Sequence, residues 1–89
     1  MLVHQEIYEH PTQASRVRLN VYDYQPGPEQ VAGLGPREPG FMVTEDRAGA
    51  VTVVSSLGFF ATREEALERV RRRAEELRRQ SYRAVSTAA

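Results

Sequence analysis

The sequence predicts an α+β fold: three or four antiparallel strands form a sheet, and one C-terminal amphipathic helix packs on one face of it. Two patterns lead to this prediction. Apolar and polar residues alternate over short stretches before residue 62, and the apolar residues follow helical spacing after it. Because the chain has 89 residues, we expect one domain over residues 1–85 and a frayed tail at residues 86–89.

Two strands are predicted near the N-terminus. The first covers residues 2–9, which include Val3, Ile7 and Tyr8, and a His-Pro-Thr turn follows it. The second covers residues 16–24 and alternates with a period of two. Valine and leucine occupy its odd positions from 17 to 21, and arginine, asparagine and tyrosine occupy its even positions. This alternation predicts that one face of the strand lies against a core and that the other faces water or a partner.

A long loop and a hairpin are predicted next. Residues 25–39 contain four of the five prolines and three of the six glycines, a density that neither a helix nor a sheet tolerates. We interpret this loop as an insertion, with a binding loop as the alternative. The hairpin has strands at residues 41–45 and 50–56 around a turn at residues 46–49. The second of these strands is apolar on both sides, which predicts a central place in the sheet.

The helix is predicted from Thr62 to about Tyr82. Thr62 and Glu65 have the spacing of a capping box, in which each side chain satisfies the other residue's backbone amide. Glutamates cluster toward the start of the helix and arginines toward its end, as the helix dipole favours. An apolar stripe is predicted to pack on the sheet and consists of Leu67, Val70, Ala74 and Leu77.

The composition excludes several kinds of site. The chain has no cysteine, so disulfides, thiolate nucleophiles and cysteine-bound zinc are excluded. His4 and His10 are the only imidazoles, and too few ligand groups accompany them for a metal site. We therefore predict no catalytic residues, no metal, no cofactor and no enzymatic activity. No apolar run is long enough to span a membrane and no secretory signal is present, which favours a cytoplasmic location.

Charge is balanced overall but unevenly distributed along the chain. All twelve basic residues are arginine, and the net charge is zero. Residues 1–62 carry four arginines against seven acids, a balance of −3, and residues 63–89 carry eight arginines against five glutamates, a balance of +3. We interpret the helix arginines as solvated residues that pair with glutamates four positions away, rather than as a phosphate-binding face.

The second strand offers a candidate binding surface. Arginine beside tyrosine on an open sheet face can hold single-stranded nucleic acid, because bases stack on the rings and phosphates pair with the guanidinium groups. The alternative is that these residues only make ordinary cross-strand contacts. The candidate residues for binding nucleic acid or a protein partner are Arg16, Arg18, Tyr22, Tyr24 and Arg47.

Residues 40–83 resemble a WGR domain, a small antiparallel sheet with a helix against it. This family occurs in DNA-break-sensing ADP-ribosyl transferases and in many bacterial proteins. Its Trp-Gly-Arg-small-Gly turn falls on residues 45–49, where Arg47 and Gly49 match, and its terminal Gly-Tyr falls on Ser81 and Tyr82. The motif is degenerate, since this chain has no tryptophan and position 46 is aspartate. The resemblance implies the fold and an interaction role.

A second, shorter resemblance covers residues 62–67, Thr-Arg-Glu-Glu-Ala-Leu, which are similar to the helix opening of HicB-like antitoxins. The leading functional hypothesis is a small, non-enzymatic, WGR-like interaction module that binds a protein partner or itself. The alternatives are a nucleic-acid-binding module and, third, a HicB-like antitoxin. We expect neither a membrane nor a small-molecule substrate as partner. Function is expected on the sheet face opposite the helix or in residues 25–39.

Overall fold

The computed structural model describes residues 1–25 and 38–88, so most of the predicted loop at 25–39 lies outside the described residues. Within these ranges five strands and one helix follow one another along the chain. They are β1 (Leu2–Glu9), β2 (Arg16–Tyr24), β3 (Gly40–Ala48), β4 (Val53–Phe60), α1 (Arg63–Arg79) and β5 (Arg83–Ala88). The predicted α+β class, with an antiparallel sheet and a C-terminal helix, is confirmed. The predicted number of three or four strands is wrong.

The described strands form one antiparallel sheet in the order β4-β3-β2-β1-β5. β1 to β4 are sequential neighbours, and α1 then carries the chain back across one face to the opposite edge, where β5 pairs with β1. β4 is therefore an edge strand, and the prediction that it is central is wrong. This strand has valines on both faces, but they are exposed to solvent. The local sequence pattern does not show how many neighbouring strands a strand has.

The fifth strand corrects the predicted C-terminus. Residues 86–88, which were expected to belong to a frayed tail, lie in β5, and Ser86 pairs with Ile7 of β1. The short Ala-Val-Ser-Thr-Ala run has little strand signal of its own. Its pairing depends on β1, which is far away in sequence, so no local pattern could predict it.

The β3–β4 hairpin is longer than predicted. β3 continues through Ala48, which pairs with Arg16, so the predicted turn at residues 46–49 is displaced to residues 49–52. β3 is hydrogen-bonded on both sides, by β2 and by β4. This pairing extends the strand past Asp46, where the sequence predicted a turn. Gly49 remains in the turn.

The core lies between the sheet and the helix. Val17, Leu19 and Val21 of β2 are fully buried, which confirms the predicted core face of this strand. The helix buries Ala66, Val70, Ala74 and Leu77 against them, while Leu67 is only half-buried at the side of the stripe. Ala66 therefore takes the first position of the stripe in place of the predicted Leu67, and successive residues of the stripe are four, four and three positions apart.

The helix starts as predicted and ends earlier. Thr62 is the N-cap and accepts a hydrogen bond from the Glu65 amide at 3.3 Å, and its hydroxyl donates to the Glu65 carboxylate at 2.9 Å. The last helical residue is Arg79, three residues before the predicted end, because Ser81 takes a positive φ of 74° and turns the chain. No helix in the described part of the chain is both long and apolar enough to cross a membrane.

Candidate functional site

The pairing register assigns each strand residue to one of two faces, because directly opposed residues in an antiparallel sheet point the same way. The helix covers the face that carries Val17, Leu19 and Val21. The other face, which we call the open face, carries the even positions of β2 with their partners on the neighbouring strands. Four of the predicted binding residues share this face: Arg16, Arg18, Tyr22 and Tyr24.

One end of the open face is apolar. Leu2, Tyr22, Met42 and Phe59 lie directly opposite one another on four consecutive strands. Leu2, Tyr22 and Phe59 are 43%, 37% and 36% exposed, which is high for large apolar side chains. We call these four residues the apolar row.

Phe59 is held in place by its neighbours. A Cβ at Gly40 would lie 2.5 Å from the tip of the Phe59 ring, so glycine at this position leaves room for the ring. Tyr24 meets Phe59 edge to face, with 5.6 Å between ring centroids. Tyr24 and Phe59 therefore pack against each other at one end of the apolar row.

The centre of the open face is a polar network. Gln5 Nε2 donates to Asn20 Oδ1 at 2.7 Å, and Asn20 Nδ2 donates to Thr44 Oγ1 and to Asp46 Oδ2, both at 3.2 Å. Asn20 is fully buried although no described element covers this face, since the longer side chains beside it exclude water. The network satisfies its own donors and acceptors, so it does not require a partner.

Three arginines of the described residues lie on the open face: Arg16 and Arg18 are paired with acids, and Arg83 of β5 lies opposite Glu9. Arg18 lies 3.3 Å from the Asp46 carboxylate, and Arg16 lies 2.9 Å from that of Glu9. Each predicted phosphate-binding arginine therefore has a carboxylate beside it. This pairing makes the middle of the open face close to electrically neutral.

Arg47 lies on the other face. It is opposite Val17, so it points to the helix side, where its guanidinium lies over the Tyr82 ring at 5.7 Å and 3.7 Å from Glu45. The structure therefore does not bring Arg47 together with the other four predicted residues. The sequence placed Arg47 in a turn, whereas the longer β3 imposes strict alternation on it.

Two polar contacts on the helix side were missed by sequence analysis. Arg73 binds the buried Glu45 through two nitrogens, at 2.5 and 3.2 Å, and this hydrogen bonding raises the pKa of Arg73. On β1, the Tyr8 hydroxyl donates to Glu6 at 2.5 Å, and Glu6 also lies 2.7 Å from His4. The alternation of β1 and β3 places His4, Glu6 and Glu45 on this face, and that signal could have located both contacts.

His4 and Glu6 are two side chains of the kinds that bind metal ions. No group of three or more histidine, aspartate or glutamate side chains converges in the described residues. Comparisons with protein-family models, curated proteins and solved structures give no significant match to this chain. The geometry of the open face is therefore the basis for any functional proposal.

Proposed function

We propose that this protein is a small, non-enzymatic interaction module, WGR-like but degenerate, that acts in the cytoplasm. It binds a protein partner or another copy of itself through the open face of its sheet. The single observation that supports this proposal is the apolar row, whose large side chains stay exposed on the face that α1 does not cover. Aromatic residues and methionine are enriched at the buried centre of protein interfaces.

The electrostatics of the open face favour a protein over a nucleic acid. Arg16 and Arg18 are paired there with carboxylates, and the central network is satisfied internally. A surface with exposed aromatics, few uncompensated charges and fixed polar groups matches another neutral, apolar surface. The aromatic residues would be the anchors of such an interface, and the polar stripe would set its orientation.

Affinity enrichment from the native host tests this proposal. The substitution Tyr22→Ser removes the central ring of the apolar row, and Val85→Ser is a matched control that removes an exposed apolar side chain from β5. We expect that proteins enriched by the unmodified chain are retained by V85S and lost with Y22S. Equal enrichment with both variants, at unchanged thermal stability, would contradict a role for the open face.

A nucleic-acid-binding module is the second candidate, because Arg16, Arg18, Tyr22 and Tyr24 share one face. Fluorescence anisotropy with single- and double-stranded DNA at two salt concentrations separates the candidates. We expect no salt-sensitive binding. Salt-sensitive binding that is lost in R16A/R18A would replace the protein-binding proposal. A HicB-like antitoxin role stays a prediction, which a toxin-sized neighbouring gene would support.

A further inference from the structure

Among the described strands none pairs with the outer edge of β4, and the first half of β4 lacks the features that usually protect an edge strand. Charged residues, prolines or bulges normally prevent such an edge from pairing with another strand. Residues 48–62 contain no charged residue and no proline. The regular pairing of β4 with β3 runs from Val53 to Ser56, and its one register shift lies beyond that run, near Gly58. The segment Val53–Ser56 is thus an uninterrupted, uncharged edge.

This edge is also unusually apolar for an exposed segment. Val51, in the hairpin turn, is 74% exposed, and Val53 and Val54 are 53% and 65% exposed on opposite faces of β4. β-Branched side chains favour strand pairing, and exposed clusters of them mark interaction sites. The other edge strand, β5, differs because it begins with Arg83, whereas both edge strands have a register shift near their middle.

We propose that β4 pairs antiparallel with β4 of a second copy of this chain, which joins the two sheets into one. This inference uses a different surface from the proposed function and does not depend on it. The absence of charge on this edge indicates which partner pairs with it. A strand without charges cannot select a charged partner, whereas the same uncharged, valine-rich edge on a second copy is complementary to it. The chain's net charge of zero adds no repulsion between copies.

Symmetry restricts the geometry of this pairing. Antiparallel pairing of two identical strands requires a two-fold axis perpendicular to the sheet, and such an axis keeps equivalent faces on the same side. Opposed residues must then share a face, so the axis passes through a residue that lies opposite its own copy. In the run Val53–Ser56 the central residues are Val54 and Ser55, which give the two possible registers. Both helices would lie on one side of the joined sheet, and the two open faces would be continuous on the other side.

The pairing is expected to be weak. A four-residue run is about 13 Å long at ~3.3 Å per residue, so the interface falls at the small end of specific interfaces. We therefore expect a monomer–dimer equilibrium with a Kd in the micromolar range. Analytical ultracentrifugation of the full chain over a wide concentration range measures it. A strictly monomeric protein at millimolar concentration would overturn the inference; it would also exclude self-binding through the open face, but it would leave the proposed binding of a protein partner there untouched.

Charge-pair variants test the β4 edge itself. In V54K/S56K, lysines face each other across the axis in either register, so we expect dimerisation to weaken about tenfold. V54E/S56E should behave in the same way, and an equimolar mixture of the two variants should restore dimers. Restoration requires both variants to be folded, so it separates loss of pairing from loss of structure. A mixture that stays monomeric while both variants are folded would overturn the pairing.

Two further variants locate the contact. V85K places the same charge on the other edge strand, and Y22S alters the apolar row; neither should change the dimerisation constant. If V85K dissociates the dimer, the contact lies at β5 and the inference is wrong. If Y22S dissociates it, the copies meet through the open face, which also overturns edge pairing but would support the proposed function.

Discussion

Glu45 is an acid on the helix side of the sheet, only 7% exposed, and its charge is balanced there by Arg73. Arg73 also reaches Glu76 on its own helix, at 2.8 Å. A buried ion pair of this kind adds little net stability when both members are present, but removal of one member leaves an unpaired buried charge. Arg73 therefore differs from the exposed helix arginines in its burial and in its partner, although no local sequence pattern distinguishes it from them.

The substitution Arg73→Met should lower the free energy of unfolding by about 2 kcal/mol, because it removes two hydrogen bonds from the buried Glu45 and leaves it only the longer contact with Arg47, at 3.7 Å. Arg72→Met is the matched control, since Arg72 is exposed and pairs only with Glu68 among the ion pairs described for it, and it should change stability by less than ~0.5 kcal/mol. Urea unfolding measures both. The double variant E45M/R73M should recover part of the loss, and equal effects of R73M and R72M would contradict this role.

Tyr8 makes the stability of the folded protein depend on pH in the alkaline range. Burial, followed by its hydrogen bond to Glu6 and the Glu6 charge, raises the pKa of Tyr8 from 10.0 to about 12. The neutral phenol is therefore favoured in the folded state. Its stabilising contribution is fully present below pH 10.0 and is lost as the pH rises through about 12.

We expect the free energy of unfolding to fall between pH 10 and 12, and the fall to be smaller by an amount on the order of 2 kcal/mol in Tyr8→Phe. Unfolding in urea at a series of pH values tests this. Identical profiles for Y8F and the unmodified chain would refute the assignment.

At the scale of the element, the end of α1 depends on one strained residue. The Ser81 amide donates to the Arg78 carbonyl at 3.0 Å, and the Tyr82 amide donates to the Leu77 carbonyl at 2.9 Å, which is the hydrogen-bond pattern of a Schellman motif. The φ of 74° at Ser81 lies in the left-handed region, which favours glycine. This turn places Tyr82 in the core and leads directly into β5.

The substitution Ser81→Gly should stabilise the protein by up to ~1 kcal/mol, since it removes the cost of a left-handed conformation for a residue with a Cβ. Gln80→Gly is the matched control: Gln80 has a negative φ of −90°, so glycine there should be neutral or destabilising. Thermal or urea unfolding compares the two. A lower stability for S81G than for the unmodified protein would show that Ser81 is not strained.

At the scale of the whole molecule, local patterns predicted the elements and failed on their arrangement. The bounds of β1 and β2 and the start of α1 agree with the sequence, because a period of two and a capping box are local signals. The edge position of β4, the existence of β5 and the side to which Arg47 points depend on pairing between distant segments. Those contacts have no signature in a single stretch of sequence.

The candidate site shows the same division. The alternation of β2 correctly placed Arg16, Arg18, Tyr22 and Tyr24 on one face, opposite Val17 and its neighbours. It could not show that Asp46 and Glu9 lie beside the arginines or that Phe59 extends the aromatic surface, because these residues belong to other strands. Their positions support the proposal of a protein partner, which the sequence already favoured, over the nucleic-acid alternative.

Hydroxyl-radical footprinting tests most directly whether the open face is an interaction surface. Side-chain oxidation is compared between the dilute purified protein and the same protein in concentrated extract of its native host. If the open face binds a partner, oxidation of Tyr22, Met42 and Phe59 should fall in the extract, while that of Leu67, half-buried beside the helix stripe, should not change. Unchanged oxidation of the apolar row, with protection elsewhere or nowhere, would contradict the proposed function.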